Sequence, residues 1–435
     1  MTNDIPKTQE YGRFAFPIPS RVCVNAANGK PIVINIIDRG LDPVCRLTLM
    51  WAFPGVNTRE ELEPARIMVA MLREGSRKFD GDTIADTLDG AGAWIATTLT
   101  PQAALLNLYC MNDRLERLLP LIAEMVMNPT FPASALNKVK ENKRDSLRRL
   151  LIRPAVSADF RLADILCGPR NPASWTLTAE RIENVDLASL TLSHQRLLEQ
   201  GQLQIWLAGR ISDKTVHSVE SFSRGLKQGE NAGNQLDYTM RTLPDELAVV
   251  EMPFTKQAAV SIGFSIFPAF HPQFAMQSLV VRALGGYFGS RLNLTLREEK
   301  GYTYGVFAHV VALARCAYCN ISTQTTPDNV EPLLAEARKV IDSMRTQKAT
   351  WKEIEALRRY CLGRIATIME SPFSVADYHL SQLIQGTPPD YMEAYQDAIF
   401  NLTPWLLQKT ARDMEGFDRL RVVKAGAFAK KDKQP

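Results

Sequence analysis

Two stretches of the chain repeat their apolar residues at helical spacing. The first contains Leu115, Leu118, Leu119, Ile122, Met125 and Val126, and the second contains Val330, Leu333, Leu334, Ala337, Val340 and Ile341. A period near 3.6 residues places each set on one helix face, so both stretches are predicted to be amphipathic helices. The β-branched run Ile32–Ile37 and the run Leu203–Leu207 predict strands. Each half of the chain is therefore expected to mix α and β structure.

Short sequence echoes relate the two halves. Four pairs are separated by a nearly constant offset, close to half the length of the chain: Asp113–Leu119 with Asp328–Leu334, Ser157–Leu162 with Val375–Leu380, Leu203–Gly209 with Leu420–Gly426, and Gly75-Ser76 with Gly289-Ser290. Such a regular offset predicts a duplication with two homologous domains, 1–220 and 247–435. Between them, Gly, Asn, Gln and charged residues replace the apolar periodicity, so 221–246 is predicted to be a linker.

Composition narrows the classes of function. The 435 residues are 46% hydrophobic and 23% charged, as in ordinary folded proteins, and a net charge of +4 gives no reason to expect a nucleic-acid partner. The weakly polar stretch 258–270 is shorter than the roughly 20 residues that span a membrane. Residues 1–6 lack a secretory pattern, and seven cysteines suit reduced thiols better than disulfides. A cytoplasmic protein without membrane contact is expected.

The segment 290–305 carries the most specific chemistry. Ser290 is predicted to cap a helix and Gly301 to end it. A strand predicted from residue 302 onward has one face composed of Tyr304, Val306, Ala308 and Val310. Arg297 and Tyr304 would then face one cleft as two hydrogen-bond donors. Such donors stabilise the negative charge that develops on the carbonyl oxygen of a peptide during its cleavage. The alternative is that Arg297 pairs with nearby carboxylates and Tyr304 packs in the sheet.

On these residues the chain resembles the pitrilysin/insulinase zinc-peptidase family, the inverzincins. That family carries a Leu-Arg-x-x-x-Gly-type stretch with a tyrosine seven residues after the arginine, matched here by Leu296–Gly301 and Tyr304. The resemblance covers nearly the whole chain. It implies an α+β fold with two homologous domains, each a mostly antiparallel β-sheet packed with helices, as in mitochondrial processing peptidase. It also implies that Arg297 and Tyr304 bind substrate.

The family's zinc motif is degenerate in this chain. The family has H-x-x-E-H on a helix of its first domain, and the aligned positions here are Arg66, Val69 and Ala70. The family's third ligand, a glutamate, aligns near Ser146–Arg148, and Glu141 matches a second family glutamate. Zinc binding needs imidazoles or carboxylates that converge on the metal. No metal and no cofactor are therefore expected in this chain.

Other candidate sites are weaker. The five histidines have no short chelating spacing, and Cys316 and Cys319 would point to opposite faces of a strand. The glycine-rich run 285–289 indicates a turn beside closely packed backbone more than a phosphate site, because Walker spacing is absent. The basic helix Lys138–Arg153 is either a solvated face or a surface that attracts acidic peptides.

These observations favour a non-catalytic, substrate-positioning subunit of a two-chain zinc metallopeptidase. By the resemblance, a homologous partner subunit would carry the zinc, and Arg297 and Tyr304 would hold the peptide substrate in a heterodimer. Metalloendopeptidase activity would then require both chains. Two alternatives stay open: a non-enzymatic peptide-binding or structural assembly protein, and an independent zinc peptidase with rearranged ligands. A homodimer of the isolated chain is a further alternative.

Overall fold

A computed structural model of the protein describes residues 12–230 and 236–428. In the first lobe the strands are β1 (Ser20–Asn25), β2 (Pro31–Asp38), β3 (Val44–Ala52), β4 (Trp94–Leu99), β5 (Ala103–Met111) and β6 (Gln202–Gly209). Its helices are α1 (Arg59–Met71), α2 (Gly81–Gly90), α3 (Asn112–Met127), α4 (Ala133–Leu151), α5 (Pro154–Cys167), α6 (Ala179–Glu183), α7 (Leu187–Gln200) and α8 (Asp213–Arg224).

The second lobe repeats this order of elements. Its strands are β7 (Leu247–Glu251), β8 (Ala258–Ile266), β9 (Val306–Leu313), β10 (Cys316–Thr325) and β11 (Arg421–Gly426). Its helices are α9 (Phe274–Gly285), a π-helix (Asn293–Glu299), α10 (Val330–Thr346), α11 (Trp351–Glu370), α12 (Pro372–Gln385), α13 (Tyr391–Phe400) and α14 (Pro404–Asp413). None of the described helices is long and apolar enough to cross a bilayer.

The two sheets have the same topology apart from the additional edge strand β1 of the first. Their strand orders are β1-β2-β6-β3-β5-β4 and β7-β11-β8-β10-β9. In each sheet the last strand of the lobe inserts beside an earlier strand in parallel (β6 with β2, β11 with β7), and the other pairs are antiparallel. The predicted fold class is confirmed: two lobes of like topology, each a mostly antiparallel sheet packed with helices.

Helical periodicity predicted α3 and α10 correctly. In α3, Leu115, Leu118 and Ile122 are buried in the core of the first lobe. In α10, Val330, Leu333 and Ile341 are buried in the core of the second lobe. Local pattern was sufficient here because each helix buries one continuous apolar stripe on its own sheet.

Each lobe contributes one helix to the sheet of the other lobe. Helix α5, encoded in the first half, packs through Ala158, Leu162 and Leu166 on residues of the second sheet that include Ala259, Tyr318 and Val423. Helix α12, encoded in the second half, packs through Val375, Ala376 and Leu380 on residues of the first sheet that include Ile37, Met50 and Trp206. The exchange involves two segments that echo each other in the sequence.

Glycine permits the close approach of α5 to its sheet. A Cβ atom added at Gly263 of β8 would lie 2.6 Å from Leu166 Cδ1 and 2.8 Å from Leu162 Cδ2. These distances are shorter than van der Waals contact. A larger residue at this position would therefore push the helix off the strand.

A buried arginine connects the first sheet with the exchanged helix α12. Arg46 of β3 is 3% exposed; its Nη1 lies 2.7 Å from Asp377 Oδ1, and its Nη2 donates to the Phe373 carbonyl at 3.2 Å. A buried guanidinium needs such partners. The contact therefore fixes α12 against a sheet that the other half of the chain encodes.

Parts of the segment predicted as a linker pack on the rest of the chain. Helix α8 extends into it, to Arg224, and Leu226 is buried in the first core. Further on, the amide of Leu243 donates to the Ile165 carbonyl of α5 at 2.8 Å. Scattered apolar side chains, hidden by the polar composition, explain the difference. Of the predicted ranges, residues 1–11, 231–235 and 429–435 lie outside the described residues.

Candidate functional site

Helix α1 carries the three positions of the degenerate zinc motif. Its first turn is stabilised by a capping box between Thr58 and Glu61. Val69 is 2% exposed and belongs to the hydrophobic core, and Ala70 has no donor atom beyond its backbone. Arg66 instead forms an ion pair, with Nη1 2.8 Å from Glu63 Oε1, and its Nε donates to the Leu99 carbonyl at 3.4 Å.

Several cations surround the one carboxylate of this region. Glu63 is 3% exposed, and burial raises its pKa while Arg66, Lys143 and Arg181 act in the opposite direction. Lys143 extends from α4, and its pKa is lowered by burial and by Arg66. Sequence inspection aligned the family's third ligand near Ser146–Arg148, counted Lys143 only as a member of the basic helix, and missed Glu63. The missed signal is a glutamate three residues before Arg66, at the spacing of a helical ion pair.

This donor set does not fit a zinc ion. Zinc sites use three or four thiolate, imidazole or carboxylate ligands, whereas Glu63, the buried carboxylate of this helix, is paired with Arg66. Lys143 adds a second positive charge that would repel a divalent cation. Across residues 12–230 and 236–428, no group of three or more His, Cys, Asp and Glu side chains is placed to hold a metal.

Several of the histidine and cysteine side chains considered as metal ligands contact backbone carbonyls, an asparagine side chain or the hydrophobic core instead. Nε2 of His194 lies 2.7 Å from the Val126 carbonyl oxygen, and burial lowers the pKa of this imidazole. Nε2 of His379 lies 2.8 Å from the Pro17 carbonyl oxygen. Cys319 is buried in the second core, whereas Cys316 Sγ lies 3.5 Å from Asn171 Nδ2 of the first lobe. The two cysteines of the C-x-x-C pattern thus have separate environments.

Arg297 lies in the π-helix and rests on an aromatic ring. Its guanidinium carbon is 3.9 Å from the centre of the Phe288 ring, which is a cation–π distance. Nη1 lies 2.8 Å from Glu298 Oε1. This contact has the distance of an ion pair without hydrogen-bond geometry, so the buried Nη1 atom has no hydrogen bond within the described chain. Arg297 therefore pairs with a neighbouring carboxylate, as the alternative interpretation of the sequence proposed.

Tyr304 lies in a loop, and the prediction that it forms part of a strand is wrong. Strand β9 begins at Val306, and Tyr304 is 94% exposed. Gly301 has φ +65°, which turns the chain after the π-helix as predicted. The Thr303 hydroxyl then donates to the Gly305 carbonyl and accepts from its amide. This local turn delays the strand and leaves the phenol of Tyr304 in solvent.

Asn293 fixes the loop that carries Tyr304, and sequence inspection missed it. Its Nδ2 donates to the Val306 carbonyl at 2.8 Å, and its Oδ1 accepts from the Val306 amide at 2.9 Å. Nδ2 also lies 3.1 Å from the Ser290 hydroxyl oxygen, which accepts this bond and caps no backbone amide. The helix begins directly after Ser290, as predicted, but the hydroxyl of Ser290 bonds the Asn293 side chain rather than a backbone amide. The buried amide of Asn293 instead joins the π-helix to the start of β9.

The polar contacts of Arg66 and of Arg297 stay within their own lobes. Arg66 reaches Glu63 and Leu99, whereas Arg297 reaches Glu298 and Phe288. The structure thus brings Arg297 and Tyr304 into one short segment, and no described hydrogen bond or ion pair links that segment directly to Arg66.

The weaker candidates have structural roles. A Cβ atom added at Gly285 would lie 2.8 Å from Ala308 Cβ, which agrees with closely packed backbone in the glycine-rich run. In the basic helix, Lys140 Nζ donates to the Glu183 carbonyl at 2.6 Å, and Arg144 Nη1 lies 2.9 Å from Glu183 Oε2. Helix α4 ends at Leu151, so the predicted last member, Arg153, lies outside it.

A duplicated fold of two mostly antiparallel sheets, each packed with helices, is the architecture that the resemblance to zinc peptidases implies. Residues 184–360 match the family described as Peptidase M16 inactive domain. The resemblance drawn from sequence is therefore confirmed: this part of the chain is similar to an M16 domain of the inactive type.

The chain is also similar to individual proteins and solved structures. The chain is 21% identical to the non-peptidase homolog YmxG of Helicobacter pylori over 321 residues, covering 71% of each chain. It is 20% identical to the uncharacterized zinc protease YmxG of Bacillus subtilis over 346 residues, covering 76% of this chain and 81% of the relative. The crystal structure of a peptidase M16 inactive domain from Pseudomonas fluorescens matches with a TM-score of 0.80 and 22% identity, covering 94% of this chain and 98% of that structure.

Proposed function

We propose that this chain is the non-catalytic, substrate-positioning subunit of a two-chain zinc metallopeptidase. The metal chemistry belongs to a homologous partner subunit in this proposal, and the heterodimer binds a peptide between the two chains. The observation that carries the proposal is the solvent-exposed Tyr304 at the end of the segment that holds Arg297. The cations around Glu63 support it, because they suit a chain that has given up metal binding.

Arg297 and Tyr304 contribute two hydrogen-bond donors in this proposal. The Arg297 side chain is 29% exposed, and stacking on Phe288 orients its guanidinium plane. Donors held in place before the reaction stabilise the negative charge that develops on a scissile carbonyl oxygen. The loop fixed by Asn293 limits the positions that Tyr304 can adopt. The chain alone is expected to cleave no peptide.

Reconstitution with a zinc-bearing homologue tests this role. The chain is mixed with a purified homologue that carries H-x-x-E-H, and peptide hydrolysis is measured for each protein alone and for the mixture. Activity should appear in the mixture. Since loss of one oxyanion donor costs about 10²–10³ in turnover, Arg297→Ala and Tyr304→Phe should lower the rate by that factor.

Matched variants separate this role from general damage. Lys300→Ala removes an exposed cation from the same segment, and Tyr302→Phe alters a half-buried tyrosine two residues before Tyr304. Both should leave the rate within about twofold, because surface changes away from special features are nearly neutral. Full activity of the Arg297→Ala and Tyr304→Phe mixtures would refute the assignment.

Two further measurements distinguish the alternatives. Stoichiometric zinc in the purified chain, measured by elemental analysis, would favour an independent peptidase with rearranged ligands. Peptide binding without hydrolysis in any mixture would favour a non-enzymatic binding or assembly protein. Size-exclusion chromatography of the isolated chain decides whether it forms a homodimer. A cytoplasmic location stays a prediction.

A further inference from the structure

A groove in the second lobe is bounded on one side by strand β9 and on the other by helices α9, α11, α12 and α13. We call it the β9 groove; its volume is about 570 Å³, within the range of small-ligand sites. Its apolar and aromatic lining includes Phe274, Val281, Ile365, Ile368, Tyr391 and Met392.

The duplication relates this groove to the region around Arg66. The repeated order of elements pairs α9 with α1, β9 with β4, α11 with α4 and α12 with α5. The β9 groove is thus the second-lobe counterpart of the place where the zinc motif aligns in the first lobe. In the first lobe, Arg66 and Glu63 pair with each other in this place. The second lobe leaves an open volume there.

Positive charge in the β9 groove lacks a counterion. Arg282 lies within it, Arg364 and His309 lie at its exposed parts, and no Asp or Glu is among the described residues that line it. Arg282 stacks near the Tyr360 ring at 5.8 Å, but its Nε is shielded from solvent and has no hydrogen bond within the described chain. Burial raises the pKa of Tyr391 to about 12, so this phenol stays neutral. Arg282 is partly buried, and its side chain bonds that of Tyr360, which is a neutral partner rather than a counterion. A ligand anion would supply the counterion that the described lining does not contain.

Strand β9 offers an unpaired edge along the groove. It is the last strand of its sheet, and within the described chain it pairs only with β10. Its sequence, Val306–Leu313, contains no lysine and no proline, which are the residues that usually protect an edge strand. Phe307 is 71% exposed. An open apolar edge beside a groove is the geometry by which sheets bind extended peptides.

We propose that the β9 groove binds the carboxyl-terminal end of an extended apolar peptide, whose backbone pairs with β9 and whose terminal carboxylate reaches Arg282. The positive charge of Arg282 favours a carboxylate, and the apolar lining of the groove favours an apolar side chain. The unpaired edge of β9 favours an extended peptide backbone. This binding site is independent of the proposed subunit role, because none of its described lining residues is Arg297 or Tyr304.

Calorimetric titration of the full chain tests the proposal with four probes. The first is the peptide Ac-Thr-Val-Ser-Val-Phe with a free carboxylate, and the second is its carboxyl-terminal amide. The third carries N-methyl groups on both valines, and the fourth is 3-phenylpropionate. Because charge-assisted bonds to arginine are about twice as strong as neutral ones, we expect the free peptide to bind at least about tenfold more tightly than the amide. Methylation should weaken binding by a similar factor, since it removes backbone donors from the pairing.

Variants assign the selectivity to Arg282. Arg282→Met should bind the free peptide and the amide equally, whereas Arg282→Lys should keep part of the preference. Arg359→Met is the matched control, because Arg359 is an exposed arginine of α11 outside the groove lining. This control should bind all four probes as the unmodified chain does.

Melting temperature provides a second readout that does not depend on binding. Because the partners given for the Arg282 side chain are neutral groups and none is a counterion, Arg282→Met should leave the melting temperature close to that of the unmodified chain. A clearly lower value would show that Arg282 stabilises the empty fold and would overturn the inference. So would equal affinity of the unmodified chain for the free peptide and the amide. Equal affinity for 3-phenylpropionate and the peptide would overturn the strand-pairing part and assign the groove to small carboxylates.

Discussion

Leu162 and Leu380 occupy equivalent places in the two halves, and each packs on the sheet of the other half. We therefore predict that truncating either leucine destabilises the lobe to which it does not belong in sequence. Leu162→Ala should loosen the second sheet, and Leu380→Ala should loosen the first.

The size of the effect follows from the packing of Leu162. Its side chain is fully buried, and α5 already lies so close to β8 that a Cβ at Gly263 would clash with Leu162 at 2.8 Å. The helix cannot move inward to fill the space that the truncation leaves. Leu→Ala changes cost about 2–5 kcal/mol, and sites that cannot collapse lie in the upper part of that range. We expect about 3–4 kcal/mol, which corresponds to a factor of roughly 10²–10³ in the opening equilibrium.

Native-state hydrogen exchange measured by mass spectrometry is the assay, because it reports the opening of individual strands. In Leu162→Ala, amides of β8, β10 and β11 should exchange about 10²–10³ times faster, with a smaller change in β2, β3 and β6. Leu118→Ala and Leu333→Ala are matched controls, because these buried leucines of α3 and α10 pack within their own lobes. If Leu162→Ala made amide hydrogens exchange faster only in the first sheet, the conclusion that α5 packs on the second sheet would be refuted.

Two further predictions concern charges. Burial and Arg66 lower the pKa of Lys143, so its charged form costs folding free energy at every pH below its folded pKa. Lys143→Met should raise the unfolding free energy by about 0.5–2 kcal/mol at pH 7. Urea titration should show that this gain shrinks toward pH 10. A gain that grows with pH would contradict the conclusion that the Lys143 charge destabilises the fold. Asp377→Asn should lower the unfolding free energy by about 1–3 kcal/mol, because it leaves the buried Arg46 guanidinium without its counterion. Asp390→Asn, an exposed change elsewhere in the second lobe, should be neutral in the same titration.

Sequence patterns predicted the regular elements better than the segments between them. Helices α3 and α10 were predicted because every apolar position of their stripe contributes to burial. The start of β9 was misplaced because alternation continues through Tyr302–Tyr304, while side-chain bonds of Asn293 and Thr303 hold that stretch as a turn. A hydrophobic period cannot report such bonds. The packing of 236–246 along α5 was not predicted either, because it depends on backbone hydrogen bonds such as that from Leu243 to Ile165.

Amino-acid order alone predicted the duplication, and by the resemblance it aligned Arg66, Val69 and Ala70 with the family's zinc motif. Both predictions follow from residue identity, because arginine, valine and alanine side chains offer a metal no ligand atom it can use. The tertiary structure decided which residues distant in the chain come into contact. Glu63 and Lys143 lie on different helices, and Arg46 and Asp377 lie in different halves of the chain, yet the fold places each pair within electrostatic reach. The exchange of α5 and α12 between sheets has the same origin, because an apolar stripe does not specify the sheet on which a helix packs. Contacts between residues distant in the chain, such as Arg46 with Asp377, fix each helix to its sheet.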